Sequence, residues 1–189
     1  MQRIHIIGTP GAGKTTLARR LAQQLQLNFI ELDSLFWGPH WLPAESDVFR
    51  KRVSASVRDP RWVACGNHTS ARDLVWARAD TVIWLDYSTR LGFVRLMRRA
   101  GDQVHRNLRA LASQQRPPLI GHDSLLLYAF RARQERKANF ESLLAAREFG
   151  HLKVLRFRSP KELEVWWREM AAESSKERAI RSRTSEARG

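Results

Sequence analysis

The chain is poor in cysteine and in acidic charge, and it lacks any long apolar run. Its single cysteine, Cys65, excludes an internal disulfide framework and fits a reducing, cytoplasmic setting. No stretch approaches the ~18 apolar residues of a membrane span, so a membrane partner is not expected. The first motif begins at residue 8, which leaves no room for a cleavable signal. There are no internal repeats. Against 33 basic residues stand only 19 acidic ones, a formal net charge of +14 that points to anionic partners: nucleic acid, acidic lipid or a small anionic substrate. What is present in quantity is core material. With 189 residues, 43% of them hydrophobic, and seven tryptophans, the chain is expected to fold as one domain with a proper core.

The stretch that organises it is Gly8-Thr9-Pro10-Gly11-Ala12-Gly13-Lys14-Thr15, which fits the G-x-x-x-x-G-K-[ST] pattern at every fixed position and follows the apolar run Ile4-His5-Ile6-Ile7. A strand that delivers the chain to a glycine-rich turn lets backbone N–H groups converge on a phosphate, and the following helix points its positive end there. A plain strand-to-helix turn needs no lysine followed by a hydroxyl at fixed offsets. Nucleoside triphosphate binding by Gly8, Pro10, Gly11, Ala12, Gly13, Lys14, Thr15 and Thr16 is therefore expected, with ATP and Mg²⁺ as cofactors. Lys14 would reach the β- and γ-phosphates, and the Thr15 hydroxyl would join the Mg²⁺ shell.

Along the rest of the chain, Leu17, Leu21 and Leu25 recur at helical spacing and predict a helix from about Lys14 to Gln26. Phe29-Ile30-Glu31-Leu32 reads as a second strand, with Asp33 just past its end, where open α/β sheets place ligands. Residues 34–43 form an aromatic loop holding Phe36, Trp37 and Trp41, which either caps the core or walls a substrate pocket. Pro43 is expected to open a helix with Phe49, Val53 and Val57 on one face. Residues 61–66 and Thr81-Val82-Ile83-Trp84-Leu85 predict strands three and four, the polar turn Asn67-His68-Thr69-Ser70 lying between them. From Thr89 to about Arg147 the pattern is helical, broken near Gly101 and Pro117-Pro118. Leu152 to Phe157 is the fifth strand. Ser159-Pro160-Lys161-Glu162 carries a capping box and starts a helix expected to end near Met170, and residues 172–189 read as a disordered basic tail. Strands alternating with helices predict a parallel sheet covered on both faces.

The chain resembles P-loop small-molecule kinases of the adenylate and shikimate kinase type, and more closely the group called DNA topology modulation proteins. The residues that carry this are Gly8 to Thr16, Leu32 to Trp41, Gly66-Asn67 and Arg78 to Asp86, within a similarity spanning about residues 1–171. The resemblance implies an α/β P-loop NTPase fold with a five-stranded parallel sheet in order 2-3-1-4-5, helices on both faces, and a helical arginine-rich lid at about 98–137. It also implies a carboxylate at the end of strand three, where this chain has Cys65. Asp86 ends strand four on the other side of strand one, so it does not fill that slot. Asp33 is then the leading carboxylate for metal or acceptor, against the alternative of a helix cap.

These readings converge on an ATP-dependent phosphotransferase acting on a small acceptor, with a nucleotide as the expected case. Lys14 and the lid residues Arg98, Arg99, Arg133 and Arg136 would neutralise the transferring group, and Asp33 would orient or deprotonate the acceptor. Trp37, Asn67, Thr69 and Arg72 are the other candidate acceptor contacts, and Thr15 and Asp33 the candidate metal ligands. The alternative is a nucleotide-binding regulatory protein with little turnover, associated with nucleic acid through its arginine surface. A GTPase switch is argued against by the lack of an Asn-Lys-x-Asp segment.

Overall fold

The computed structural model describes residues 1–38, 42–88, 140–144 and 147–186, with 147 and 174–186 given by backbone alone. Five parallel strands form one sheet: β1 (Arg3–Gly8), β2 (Asn28–Glu31), β3 (Trp62–Cys65), β4 (Thr81–Leu85) and β5 (Lys153–Phe157). Their order is β2-β3-β1-β4-β5, as expected. Among the described residues the α-helices include α1 (Lys14–Leu25), α2 (Leu32–Phe36), α3 (Ser46–Ser56), α4 (Arg72–Trp76) and α5 (Pro160–Glu186), and residues 140–144 are also helical.

Side-chain alternation along the strands divides the core into two layers. Ile4, Ile6, Val63, Cys65, Ile83 and Leu85 point to one face and pack with Leu17, Ala18 and Leu21 of α1 and with Met170 of α5. Ile7, Trp62, Ala64, Val82 and Trp84 point to the other and meet Phe49 and Val53 of α3, Val75 and Trp76 of α4, and Phe140. Each such fully buried aliphatic side chain contributes about 1.5–3 kcal/mol. The inner strands are buried on both sides because neither face is left to water.

Three local expectations change. Pro43 does not open α3, which starts three residues further on. It forms an antiparallel bridge with Trp37, and the backbone bonds Gly38 N to Leu42 O (2.8 Å) and Ala44 N to Phe36 O (2.8 Å) fold this loop back on itself. Of the two roles open to the aromatic loop, core capping is the one seen among the described residues: Phe36 packs edge-on against Phe49 at 5.4 Å, while Trp37 is 41% exposed. Helix α5 runs on past Met170 to Glu186, over residues expected to be disordered. Between Pro160 and Gly189 the chain has neither proline nor glycine, and alanine, glutamate, lysine and arginine there are good helix formers. Its start is as expected: Glu162 N donates to Ser159 Oγ at 3.3 Å, and the Glu162 carboxylate accepts from Arg158 N at 2.9 Å. The expected lid, with Arg98, Arg99, Arg133 and Arg136, lies outside the described residues. Among the described residues no helix is long and apolar enough to cross a membrane.

Asp86 is not a site carboxylate. It is buried, and Arg156 of β5 grips it at 2.6 and 3.0 Å, fastening β5 to the loop after β4. A second buried polar group, His5, sits in the middle of β1. Trp76 Nε1–H can only donate, so Nδ1 of His5 accepts at 2.8 Å, and Nε2–H must be the group that meets Gly66 O at 3.0 Å. Complete burial pushes the imidazole down to about 4, so it stays neutral in the fold. The unfolded chain binds this proton near 6.5, so the stabilisation from neutral His5 is full above that value and is lost as pH falls from 6.5 towards 4. Urea titrations should show about 3 kcal/mol of stability lost across this window, from a shift of roughly 2.5 units at 1.36 kcal/mol each. In His5→Gln the slope over the same window should flatten.

Candidate phosphate-transfer site

The glycine-rich loop joins the end of β1 to α1. Gly13 has φ +93°, which an L side chain rarely adopts, and it caps α1 without any side-chain hydrogen bond. The first turn of α1 holds no acidic residue, so the positive dipole end of the helix carries no side-chain counter-charge of its own and suits an anion. It opens on a cleft of about 720 Å³, lined by Pro10 to Leu17, Arg20, Asp33, Asn67, Tyr87 and the start of α5 at Pro160, Leu163 and Glu164. Lys14 Nζ donates to Gly8 O at 3.0 Å and to Thr9 O at 3.3 Å, folded over its own loop.

Behind Lys14 the structure supplies a carboxylate that sequence reasoning missed. Thr15 Oγ1 donates to Glu31 Oε1 at 3.1 Å. Glu31 ends β2, and the parallel register sets it beside Cys65 of β3. Cys65 lies 3.8 Å from the same hydroxyl, but burial pushes its thiol up to about 11, so it stays protonated and is a poor cation ligand. The signal is present in the sequence: Glu31 is a charged residue that follows the apolar pair Phe29-Ile30 at the end of β2, two positions before Asp33. A search for the carboxylate on strand three alone does not find it. Thr15, which lines the cleft, and Glu31, bonded to its hydroxyl, form an oxygen-only donor pair, which suits Mg²⁺, a cation that keeps several waters and takes one or two carboxylates.

Asp33 lies in the first turn of α2 and lines the cleft, its side chain 64% exposed. His68 Nε2 approaches Asp33 Oδ1 at 2.7 Å, and this hydrogen bond holds the carboxyl below its usual range. The His68 ring is wedged between Phe36 at 4.8 Å and Phe49 at 5.0 Å, so the aromatic loop fixes the residue that fixes Asp33. In the sequence His68 shows only as a member of the polar turn Asn67-His68-Thr69-Ser70, with nothing to link it to Asp33.

The remaining candidates divide. Asn67 lines the cleft, yet both ends of its amide are bound to Gly8: Nδ2 to Gly8 O at 2.7 Å, and Oδ1 accepting from Gly8 N at 3.2 Å. Trp37, Thr69 and Arg72 are not part of the lining described for this cleft. Thr69 is exposed at the start of the 3₁₀ turn Thr69–Ala71. Arg72 is half-buried with its guanidinium over the rings of Trp76 (5.4 Å) and Phe140 (5.7 Å), and burial lowers its affinity for the proton.

Comparison with known proteins agrees with this architecture. The shikimate kinase of Bacteroides fragilis is 29% identical over 154 residues, which cover 72% of this chain and 78% of that protein. The shikimate kinase of Parabacteroides distasonis is 37% identical over 59 residues, and that of Phocaeicola vulgatus 58% over 33. These two matches span only 34% and 19% of the relatives' own lengths. Among solved structures, shikimate kinase from Acinetobacter baumannii in complex with shikimate superposes with a TM-score of 0.55 at 17% identity, covering 93% of this chain and 94% of that one. Shikimate kinase from Aquifex aeolicus gives 0.51 at 15% identity, covering 92% and 97%. These superpositions show the P-loop kinase fold. The model of the AAA domain family AAA_33 matches residues 4–140, most of the chain, and the chain belongs to that family.

Proposed function

We propose that the chain is an ATP-dependent kinase that transfers the γ-phosphoryl group to a hydroxyl of a small-molecule acceptor. The observation that carries this reading is that Asp33, braced by His68, opens into the same cleft as the phosphate loop. The sequence similarity to shikimate kinases supports a hydroxylated acid as acceptor. It gives no support to a nucleotide acceptor. The resemblance to DNA topology modulation proteins adds no acceptor chemistry.

Phosphoryl transfer is mostly positioning and charge neutralisation. Lys14 would swing from the Gly8 and Thr9 carbonyls to the β- and γ-phosphates, while the N–H groups at the start of α1 hold the rest of the chain of phosphates. Thr15 and Glu31 would hold Mg²⁺, which when bound offsets charge on the same oxygens. Tyr87, Pro160 and Leu163, which line the same cleft, would take the nucleobase. Asp33, with one oxygen engaged by His68, is assigned to the acceptor rather than to the metal. A carboxylate held below its usual range is a weak base, so Asp33 aligns the hydroxyl and accepts its proton late. By then the acceptor oxygen is bonding to phosphorus, and the bond to the bridging oxygen is breaking to release ADP. Arg98, Arg99, Arg133 and Arg136 would close over the transferring group, and Trp37, Thr69 and Arg72 keep a proposed role towards the acceptor. A regulatory protein with little turnover is favoured by Cys65 and by the basic charge, and a carboxylate supplied by Glu31 weakens the first of these arguments.

Purified protein with ATP, Mg²⁺ and a panel of shikimate, other hydroxylated acids and nucleoside monophosphates should release ADP above the acceptor-free rate. No turnover across the panel, with ATP still bound, would overturn the reading. Asp33→Asn should lower kcat by about 10²–10⁴-fold and leave nucleotide affinity within about twofold. Glu31→Gln should raise the Mg²⁺ concentration for half-maximal nucleotide binding by about tenfold, roughly the effect of one charged ligand contact, whereas Cys65→Ser should leave it unchanged. Cys65→Asp sets a second carboxylate beside Glu31. It should tighten Mg²⁺-dependent nucleotide binding and, by like-charge repulsion, lower the melting temperature when Mg²⁺ is withheld.

A further inference from the structure

Strand β3 stops pairing with β1 two residues before β1 ends. The last backbone bond between them runs from Gly66 N to Ile6 O at 3.3 Å, after which Gly66, at φ +143°, turns the chain away. A Cβ at this position would stand 2.8 Å from Leu32 Cβ, so the turn itself demands glycine. Gly8, the buried last residue of β1 and the first of the phosphate loop, is thereby left without a backbone partner on the β3 side. The Asn67 side chain takes that place. Its carboxamide carries the same donor and acceptor as a peptide group and exchanges both bonds with Gly8, continuing the ladder by one rung.

Asn67 and Lys14 share the Gly8 carbonyl, at 2.7 and 3.0 Å. Lys14 must leave it to reach a phosphate, and a buried carbonyl stripped of partners costs about 1–3 kcal/mol. Asn67 is held in turn by the residue before it, since Gly66 O accepts from His5 Nε2 and His5 is locked by Trp76. We propose that Asn67 is a positioning residue of the phosphate loop, kept in place by His5 through the Gly66 carbonyl, which preserves the geometry of Gly8 when Lys14 turns to the nucleotide. This moves Asn67 from the acceptor side, where its place after β3 had put it, to the nucleotide side. It rests on the reading of the loop as a triphosphate site.

The test is calorimetric binding of the non-hydrolysable analogue AMP-PNP with Mg²⁺. Asn67→Ala should weaken binding about tenfold, the loss of one to two net hydrogen bonds. Asn67→Asp should weaken it at least as much, because it keeps the acceptor for Gly8 N–H but sets a negative oxygen against Gly8 O. His5→Phe should act in the same direction by several-fold. Amide exchange at Gly8 should accelerate about tenfold in Asn67→Ala while Ile6 and Ile83 keep their protection, a local change that a general loss of stability would not produce. Should a variant fail to fold, the wild-type protein decides: a through-hydrogen-bond coupling from the Asn67 side-chain nitrogen to the Gly8 carbonyl carbon should persist when AMP-PNP is added. Wild-type affinity in Asn67→Ala, or loss of that coupling on binding, overturns the brace. Failure of the wild type to bind AMP-PNP overturns the triphosphate reading instead, and the coupling in the free protein then tests the brace alone.

Discussion

Everything at the site depends on β1 being immobile. Ile4, Ile6 and Ile7 are fully buried, β3 and β4 pair with the strand on either side, and its buried polar residue, His5, has both ring nitrogens bonded. A strand closed off in this way cannot slide or tilt without breaking two ladders and opening two core layers. Its last residue is therefore a fixed point, and the phosphate loop is hung from it. The loop's flexible turns are tolerable because its origin is not flexible.

From that fixed point the functional groups arrive by three routes. Lys14 and Thr15 come along the chain itself, within one turn of α1. Glu31 and Asp33 come from β2 and α2, two strands away in the sheet, where β2 and β3 end together at the level of Ile6, just short of the loop. Asn67 and His68 come from the turn after β3. His68 braces the carboxylate, and Asn67 braces the loop. The two neighbours in sequence thus serve opposite partners, since the left-handed Gly66 just before them sets Asn67 towards β1 and leaves His68 among the aromatic rings of α2 and α3.

Cys65 shows how a position can keep its place and change its chemistry. It stands beside the Thr15 hydroxyl, as the topology requires of the residue ending β3, but as a protonated, buried thiol. The carboxylate at that hydroxyl comes from the neighbouring strand, at the residue in register with it. The carboxylate at this hydroxyl lies one strand away from where the sequence reading looked for it, a distance that a pattern searched on one strand does not span.

The residues themselves determined the phosphate loop, the five strands, their parallel sense and the capped start of α5, because each is written in consecutive positions or in a period that local geometry imposes; the strand order came from the resemblance to P-loop kinases, and the sheet agrees with it. The match of Gly8 to Thr15 needs no tertiary knowledge, and neither does the alternation that hides Val82 and Ile83 on opposite faces. Only the tertiary structure decided that Glu31 meets Thr15, that His68 holds Asp33 and that Asn67 completes the ladder of Gly8. Each of these is a contact between strand ends brought level by parallel pairing, at sequence separations of 16, 35 and 59 residues. Register sets such contacts. A single sequence displays the pattern of each strand but not the offset between two of them, and that offset is fixed only when both faces of the sheet are packed.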